Sequence, residues 1–179
     1  MEILRSRLLS IAGLPCWGLE FGFGGSLTFN FGDPYLRTSN GNLKSPDRIR
    51  QKKYITVSGE FYFWISDGYW QLIKHGNELI NRESEPRDVY RNLREIDSEP
   101  IVSFCADFEK GVTELDFGNG NSLVVKRYED FEDTHALWHI FYQDTVLSQM
   151  ANGTLEREKV SSGESNVIPG QYFQIALID

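Results

Sequence analysis

Apolar and polar positions alternate along most of the chain. Leu27, Phe29 and Phe31 share one side of a two-residue repeat, with Thr28 and Asn30 on the other. Phe61, Phe63 and Ile65 alternate with Tyr62 and Trp64. Val102, Phe104, Ala106 and Phe108 alternate with Ser103, Cys105 and Asp107, and Leu137, His139 and Phe141 with Trp138 and Ile140. A period of two places successive side chains on opposite faces of a strand, one of them against a core. Gly24-Gly25, Gly32-Asp33-Pro34, Asp67-Gly68, Asn119-Gly120 and Asn152-Gly153 punctuate these runs. Such pairs tolerate the positive φ angles of tight turns, so antiparallel meanders are predicted.

One segment carries a helical period instead. Ser84 can cap it, Pro86 fits the first turn, and Val89, Leu93 and Ile96 form an apolar stripe. A helix is predicted over Ser84–Ile96, lying on a sheet as a connector. Leu4, Leu8 and Ile11 suggest a second helix within Met1–Ile11. The basic, Pro- and Gly-punctuated stretch from Ser39 to Lys53 reads as a surface loop. Asn152–Asn166 reads as another polar stretch, before a last strand at Gln171–Leu177.

Motif order repeats between the two halves. Gly25-Ser26-Leu27-Thr28-Phe29-Asn30-Phe31-Gly32-Asp33 corresponds to Gly111-Val112-Thr113-Glu114-Leu115-Asp116-Phe117-Gly118-Asn119. Trp64-Ile65 then corresponds to Trp138-His139-Ile140, and Gly76-Asn77 to Asn152-Gly153. The fold expected is mainly β (or α+β), one compact domain over 1–179. Antiparallel sheets would fall in two sequence-similar halves, about 13–80 and 100–155, joined by one helix.

Composition sharpens this picture. Hydrophobic residues make up 40% of the 179 positions and aromatic residues 13%, enough for a packed β core. The formal net charge of −8 disfavours nucleic acid and would favour a basic protein partner, although it also serves solubility. No apolar run approaches the ~18 residues that suggest a membrane-spanning helix. The N-terminus imitates a lipoprotein signal ahead of Cys16, but Leu14-Pro15 occupies positions where small residues are needed. A cytoplasmic protein is expected, with Cys16 and Cys105 buried and reduced.

Candidate chemistry is sparse. His135 and His139 stand four apart beside Glu129, Asp130, Glu132 and Asp133. On a strand that spacing spans about 13 Å, too far to share one metal ion. Cys105, His139 and Asp107 could form a nucleophile–base–acid set, but mid-strand Cys105 would stabilise a thiolate poorly. Gly22-Phe23-Gly24-Gly25-Ser26 lacks the lysine and following helix of a phosphate loop. No cofactor or metal is expected. Tyr62, Trp64, Tyr69, Trp70, Trp138 and Tyr142 are candidates for an aromatic surface opposite the core.

Gly13-Leu14-Pro15-Cys16-Trp17-Gly18, Phe31-Gly32-Asp33-Pro34 and Gly59-Glu60-Phe61-Tyr62-Phe63-Trp64-Ile65 resemble an uncharacterised family of small bacterial proteins. That resemblance implies no catalytic residue. The chain is also similar in profile to the immunity proteins of bacterial toxin systems, which are often small, acidic and without an active site. The function expected is a non-catalytic protein-binding module, an immunity-type inhibitor occluding a basic toxin site. Glu129, Asp130, Glu132, Asp133, Tyr69 and Trp70 are its expected contacts. The alternative is a small-ligand-binding β protein with an aromatic-lined pocket.

Overall fold

The computed structural model describes residues 10–39, 54–128, 132–159, 164–168 and 173–176. Most of the expected N-terminal helix and of the basic loop lies outside them. Strands come first: β1 (Cys16–Phe21), β2 (Leu27–Phe31), β3 (Tyr35–Ser39), β4 (Tyr54–Ser58), β5 (Phe61–Ile65), β6 (Tyr69–Lys74) and β7 (Asn77–Asn81). A helix, α1 (Pro86–Leu93), follows. Then come β8 (Ile101–Asp107), β9 (Val112–Phe117), β10 (Asn121–Lys126), β11 (Ala136–Tyr142) and β12 (Thr145–Met150). β13 (Leu155–Lys159), β14 (Glu164–Ile168) and β15 (Phe173–Ala176) complete the order. The protein is mainly β with antiparallel sheets, as the alternation implied.

Two sheets face each other. One runs β1-β2-β5-β11-β12-β13-β14 and the other β15-β8-β9-β10-β6-β7, while β3 and β4 form a separate hairpin. The core between them is aromatic. Phe63 stacks on Phe29 at 5.0 Å and on Trp138 at 5.4 Å. Phe104 of the opposite sheet meets Trp138 edge-on at 5.9 Å and Phe63 at 6.4 Å. All four rings are buried. Full burial of such side chains stabilises the fold by roughly 1.5–3 kcal/mol each, and the ring geometry adds to that.

Part of the strand order is shared by the two sheets, but β13-β14 and β15 have no counterparts, so the order does not establish the expected duplication. β1-β2-β5 form a meander completed by the hairpin β11-β12, and β8-β9-β10 form one completed by β6-β7. Register follows the same scheme. Leu27 faces Ile65 and Phe29 faces Phe63; Thr113 faces Val125 and Leu115 faces Leu123. Ile65 then faces Trp138, and Val125 faces Trp70. Each half therefore lends a hairpin to the other half's meander. Trp70, not Trp64, occupies the place equivalent to Trp138. Both are fully buried, and each indole reaches back to its own half: Trp70 Nε1 donates to Gly25 O at 2.7 Å, Trp138 Nε1 to Thr113 Oγ1 at 2.8 Å. The sequence alignment of Trp64 with Trp138 fails because Trp64 projects outward.

Other expectations shift for local reasons. α1 starts at Pro86 with Glu85 as its cap residue, and Ser84 Oγ instead accepts the Asn81 N–H at 2.9 Å. Its stripe is as read: Val89, Leu93 and Ile96 are buried. An irregularity in β11 between Ala136 and Trp138 lets both Leu137 and Trp138 enter the core, leaving His139 and Phe141 outside. Within the polar stretch Asn152–Asn166, Leu155–Lys159 extends the sheet as β13 and Glu164 begins β14. Cys16 is buried, and desolvation pushes its thiol well above the ordinary value, with Asp97 adding to the shift. Cys105 is only half-buried, because it points to the outer face of β8; neither cysteine forms a disulfide.

Candidate functional site

The connection from β2 to β5 sets the site apart. Its counterpart from β9 to β10 is the short turn Gly118-Asn119-Gly120, whereas residues 32–60 intervene between Phe31 and Phe61 and carry the β3–β4 hairpin. The hairpin stands over the outer face of β1, β2 and β5 and encloses a cleft of about 600 Å3. Trp17, Gly18 and Glu20 of β1 line it, with Thr28 and Asn30 of β2 and Tyr62 of β5. Arg37, Thr56, Val57 and Ser58 of the hairpin close the other side.

Backbone contacts fix this wall. Asn30 is 7% exposed although it points away from the core, because the hairpin covers it. Its Oδ1 accepts the Gly59 N–H at 2.9 Å. A Cβ on Gly59 would lie 2.5 Å from Phe31 O, so only glycine permits this approach. Trp17 Nε1 donates to Gly32 O at 2.9 Å, tying the first residue of the excursion to β1. Gly18 adopts φ +64° at the β1 irregularity, and a Cβ there would press on Asn30 Nδ2 at 3.0 Å. Glu20 and Arg37 form no ion pair among the described residues, and Asn30 Nδ2 finds no hydrogen-bond partner there. The cleft thus offers two opposite charges, several neutral polar groups and two aromatic rings.

An aromatic band continues from Tyr62 across the same face. Tyr62 lies 5.6 Å from Phe141, and Trp64 stands 4.9 Å from the His139 ring and 6.5 Å from Phe141. Trp64 is 36% exposed. Ser66 Oγ donates to Ala136 O at 2.8 Å, so its oxygen is left to accept from His139 Nε2 at 3.3 Å. His139 Nδ1 then accepts from Ser148 Oγ at 2.7 Å, which assigns the neutral Nε2–H tautomer. Burial pushes the His139 pKa below its ordinary value, with Asp67 acting weakly the other way. A lowered folded-state value means the unfolded chain binds the proton more readily. Stability is therefore complete above the ordinary histidine value near 6.5 and declines as pH falls below it. His139→Gln is expected to flatten that acid-side decline in denaturant melts measured between about pH 7 and 5.

The remaining candidates are dispersed. Cys105 and His139 lie on the outer faces of opposite sheets, and Asp107 is paired with Lys110 at 2.8 Å, so these three do not assemble. Ser148 sits on β12 between β11 and β13, whose ladders occupy its backbone. No pair of N–H groups is left there to stabilise an oxyanion. Among the described residues no cluster of three or more metal-ligating side chains occurs, and no helix is long and apolar enough to cross a membrane.

Of the expected partner contacts, Trp70 is corrected: it is fully buried in the core and presents nothing to a partner. Tyr69 is half-buried on the outer face of β6, edge-on to Tyr128 at 5.1 Å with Lys126 over its ring. Tyr142 stacks on buried Phe61 at 4.6 Å and belongs to the core side. Asp133 is ion-paired with Arg127 at 3.0 Å, Glu132 is exposed, and Glu129 and Asp130 lie outside the described residues. The cleft residues Trp17, Glu20 and Arg37 were not singled out by sequence reading. Only the length of the β2–β5 excursion signalled them. No family model matches the chain, and neither the curated proteins nor the solved structures yield a match.

Proposed function

We propose that this protein is a non-catalytic binding module that holds a small polar ligand in the cleft beneath the β3–β4 hairpin. The observation that carries this reading is the excursion of residues 32–60, which builds a cleft of about 600 Å3 where the equivalent connection is a short turn. That volume lies within the range of sites for drug-sized ligands. The lining supports binding rather than catalysis. Glu20 and Arg37 are exposed, and among the described residues no hydrogen bond joins Glu20 to a hydroxyl of the lining to activate it. The test is a screen of small polar molecules by thermal shift, with Thr56→Trp to fill the cleft. A ligand at a hundredfold its Kd stabilises the native protein by about 2.7 kcal/mol. Thr56 is exposed, so Thr56→Trp is expected to keep the melting temperature and abolish the ligand-induced shift. A shift that survives in Thr56→Trp places the ligand elsewhere.

A second reading is favoured by a separate surface. Phe23 is fully exposed on the turn before β2. The adjoining Gly24 carbonyl accepts from Arg82, whose guanidinium lies over Tyr128, the neighbour of Tyr69. With Phe23 as an exposed aromatic anchor and Arg82 and Lys126 beside the tyrosine rings, this patch fits a protein partner. Phe23→Ala would weaken such a complex and leave small-ligand binding unchanged.

A further inference from the structure

We propose that the cleft and the aromatic band beside it bind a neutral oligosaccharide, one end held in the cleft and the chain running over Phe141 and Trp64. This rests on the cleft being the ligand site and adds the ligand's chemical class. Three observations converge on it. First, among the described residues the cleft carries one acid and one base, Glu20 and Arg37, not joined to each other, so these two charges balance. Carboxylate and guanidinium each present a planar pair of hydrogen-bonding atoms, and adjacent sugar hydroxyls both donate and accept. A polyanion is disfavoured by the net charge of −8. A lipid chain would find Thr28, Asn30, Thr56 and Ser58 where it needs apolar walls.

Second, aromatic faces accompany these polar groups. A sugar ring has one face of C–H groups that packs on an aromatic ring while its hydroxyls point sideways to hydrogen-bonding partners. Tyr62 in the cleft supplies such a ring beside Asn30, whose Nδ2 has no partner among the described residues. Third, the rings form a track. Tyr62 and Phe141 face each other across β5 and β11, and Trp64 follows two residues along β5 on the same side. The Trp64 and Phe141 planes lie within 24° of parallel. A ligand confined to the cleft has no use for Trp64, which remains 36% exposed. A chain longer than the cleft does.

The geometry therefore ties affinity to chain length. Glucose and oligosaccharides of glucose, mannose, xylose and N-acetylglucosamine, up to six units, are titrated by calorimetry and tryptophan fluorescence. At least one series is expected to bind, with affinity rising from the single sugar to the longer chains. Trp64→Ala should cost the longest chain about tenfold and leave the shortest ligand unchanged. Arg37→Met should weaken every length alike. Melting curves check that both variants, altered at exposed positions, are folded. Failure of all the sugars overturns the proposal, as does binding indifferent to both substitutions. If charged metabolites bind instead and Arg37→Met or Thr56→Trp abolishes that binding, the cleft reading stands and the sugar class falls. Capture of a protein alone, dependent on Phe23, removes both.

Discussion

Trp138→Ala should destabilise the fold by about 3–5 kcal/mol, the cost typical of removing a fully buried tryptophan. The indole stacks on Phe63, receives Phe104 edge-on and joins the two sheets through its hydrogen bond to Thr113 Oγ1. Thr113 Oγ1 in turn donates to Gln149 Oε1 at 2.5 Å, and all three residues are buried. Truncation therefore opens a cavity and also takes a donor from a buried polar chain. Trp138→Phe retains the ring stack and loses the N–H, so it should fall between wild type and Trp138→Ala. Trp70→Ala should behave similarly, because Trp70 holds the equivalent place with its own tether to Gly25 O. Urea unfolding measures all three. A loss below about 1 kcal/mol for Trp138→Ala would show that the core relaxes around the missing ring.

Much of this architecture is legible in the sequence, for a physical reason. A strand with one buried face must alternate, so Leu27–Phe31, Phe61–Ile65 and Val112–Phe117 declare themselves residue by residue. The helix declares itself through Val89, Leu93 and Ile96 in the same way. What alternation does not encode is which sheet a strand joins. Trp64 and Trp138 look alike in sequence, yet one faces solvent and the other the core: Trp64 alternates with buried Phe63 and Ile65, whereas Trp138 shares the inward face with Ile140. Trp70, read as one of the surplus aromatics of a surface, is buried in a sheet where β6 pairs with β10 of the other half, a pairing that alternation does not encode. The cleft was hidden for a similar reason. Trp17, Asn30 and Arg37 come from three strands, and only tertiary structure brings them to one wall. Glu129–Asp133 attracted attention as a charge run, but charge density alone does not reveal that Asp133 already has Arg127 as a partner.

Replacing residues 32–60 by Gly-Asn-Gly should leave the sandwich folded and abolish ligand binding completely. The turn Gly118-Asn119-Gly120 already makes this connection between β9 and β10. Phe31 and Phe61, the residues to be joined, are directly paired across β2 and β5. The described apolar side chains of the hairpin strands contribute little to the core: Leu36, Ile55 and Val57 are 72%, 69% and 58% exposed. Among the described residues two side-chain hydrogen bonds disappear, Asn30 Oδ1 with Gly59 N–H and Trp17 Nε1 with Gly32 O. Each is worth about 1 kcal/mol net, and both side chains become accessible to water once the hairpin is gone. A much shorter loop also lowers the closure entropy, which offsets part of that loss. The variant should therefore show the same β-type circular dichroism and melt within several degrees of the parent. Binding is a different matter. Arg37, Thr56, Val57 and Ser58 leave with the hairpin, so the cleft becomes an open sheet face. Calorimetry on the folded variant should detect no ligand at concentrations that saturate the parent. Retained binding would move the site off the cleft, and a chain that no longer folds would make the hairpin part of the scaffold and not an excursion from it.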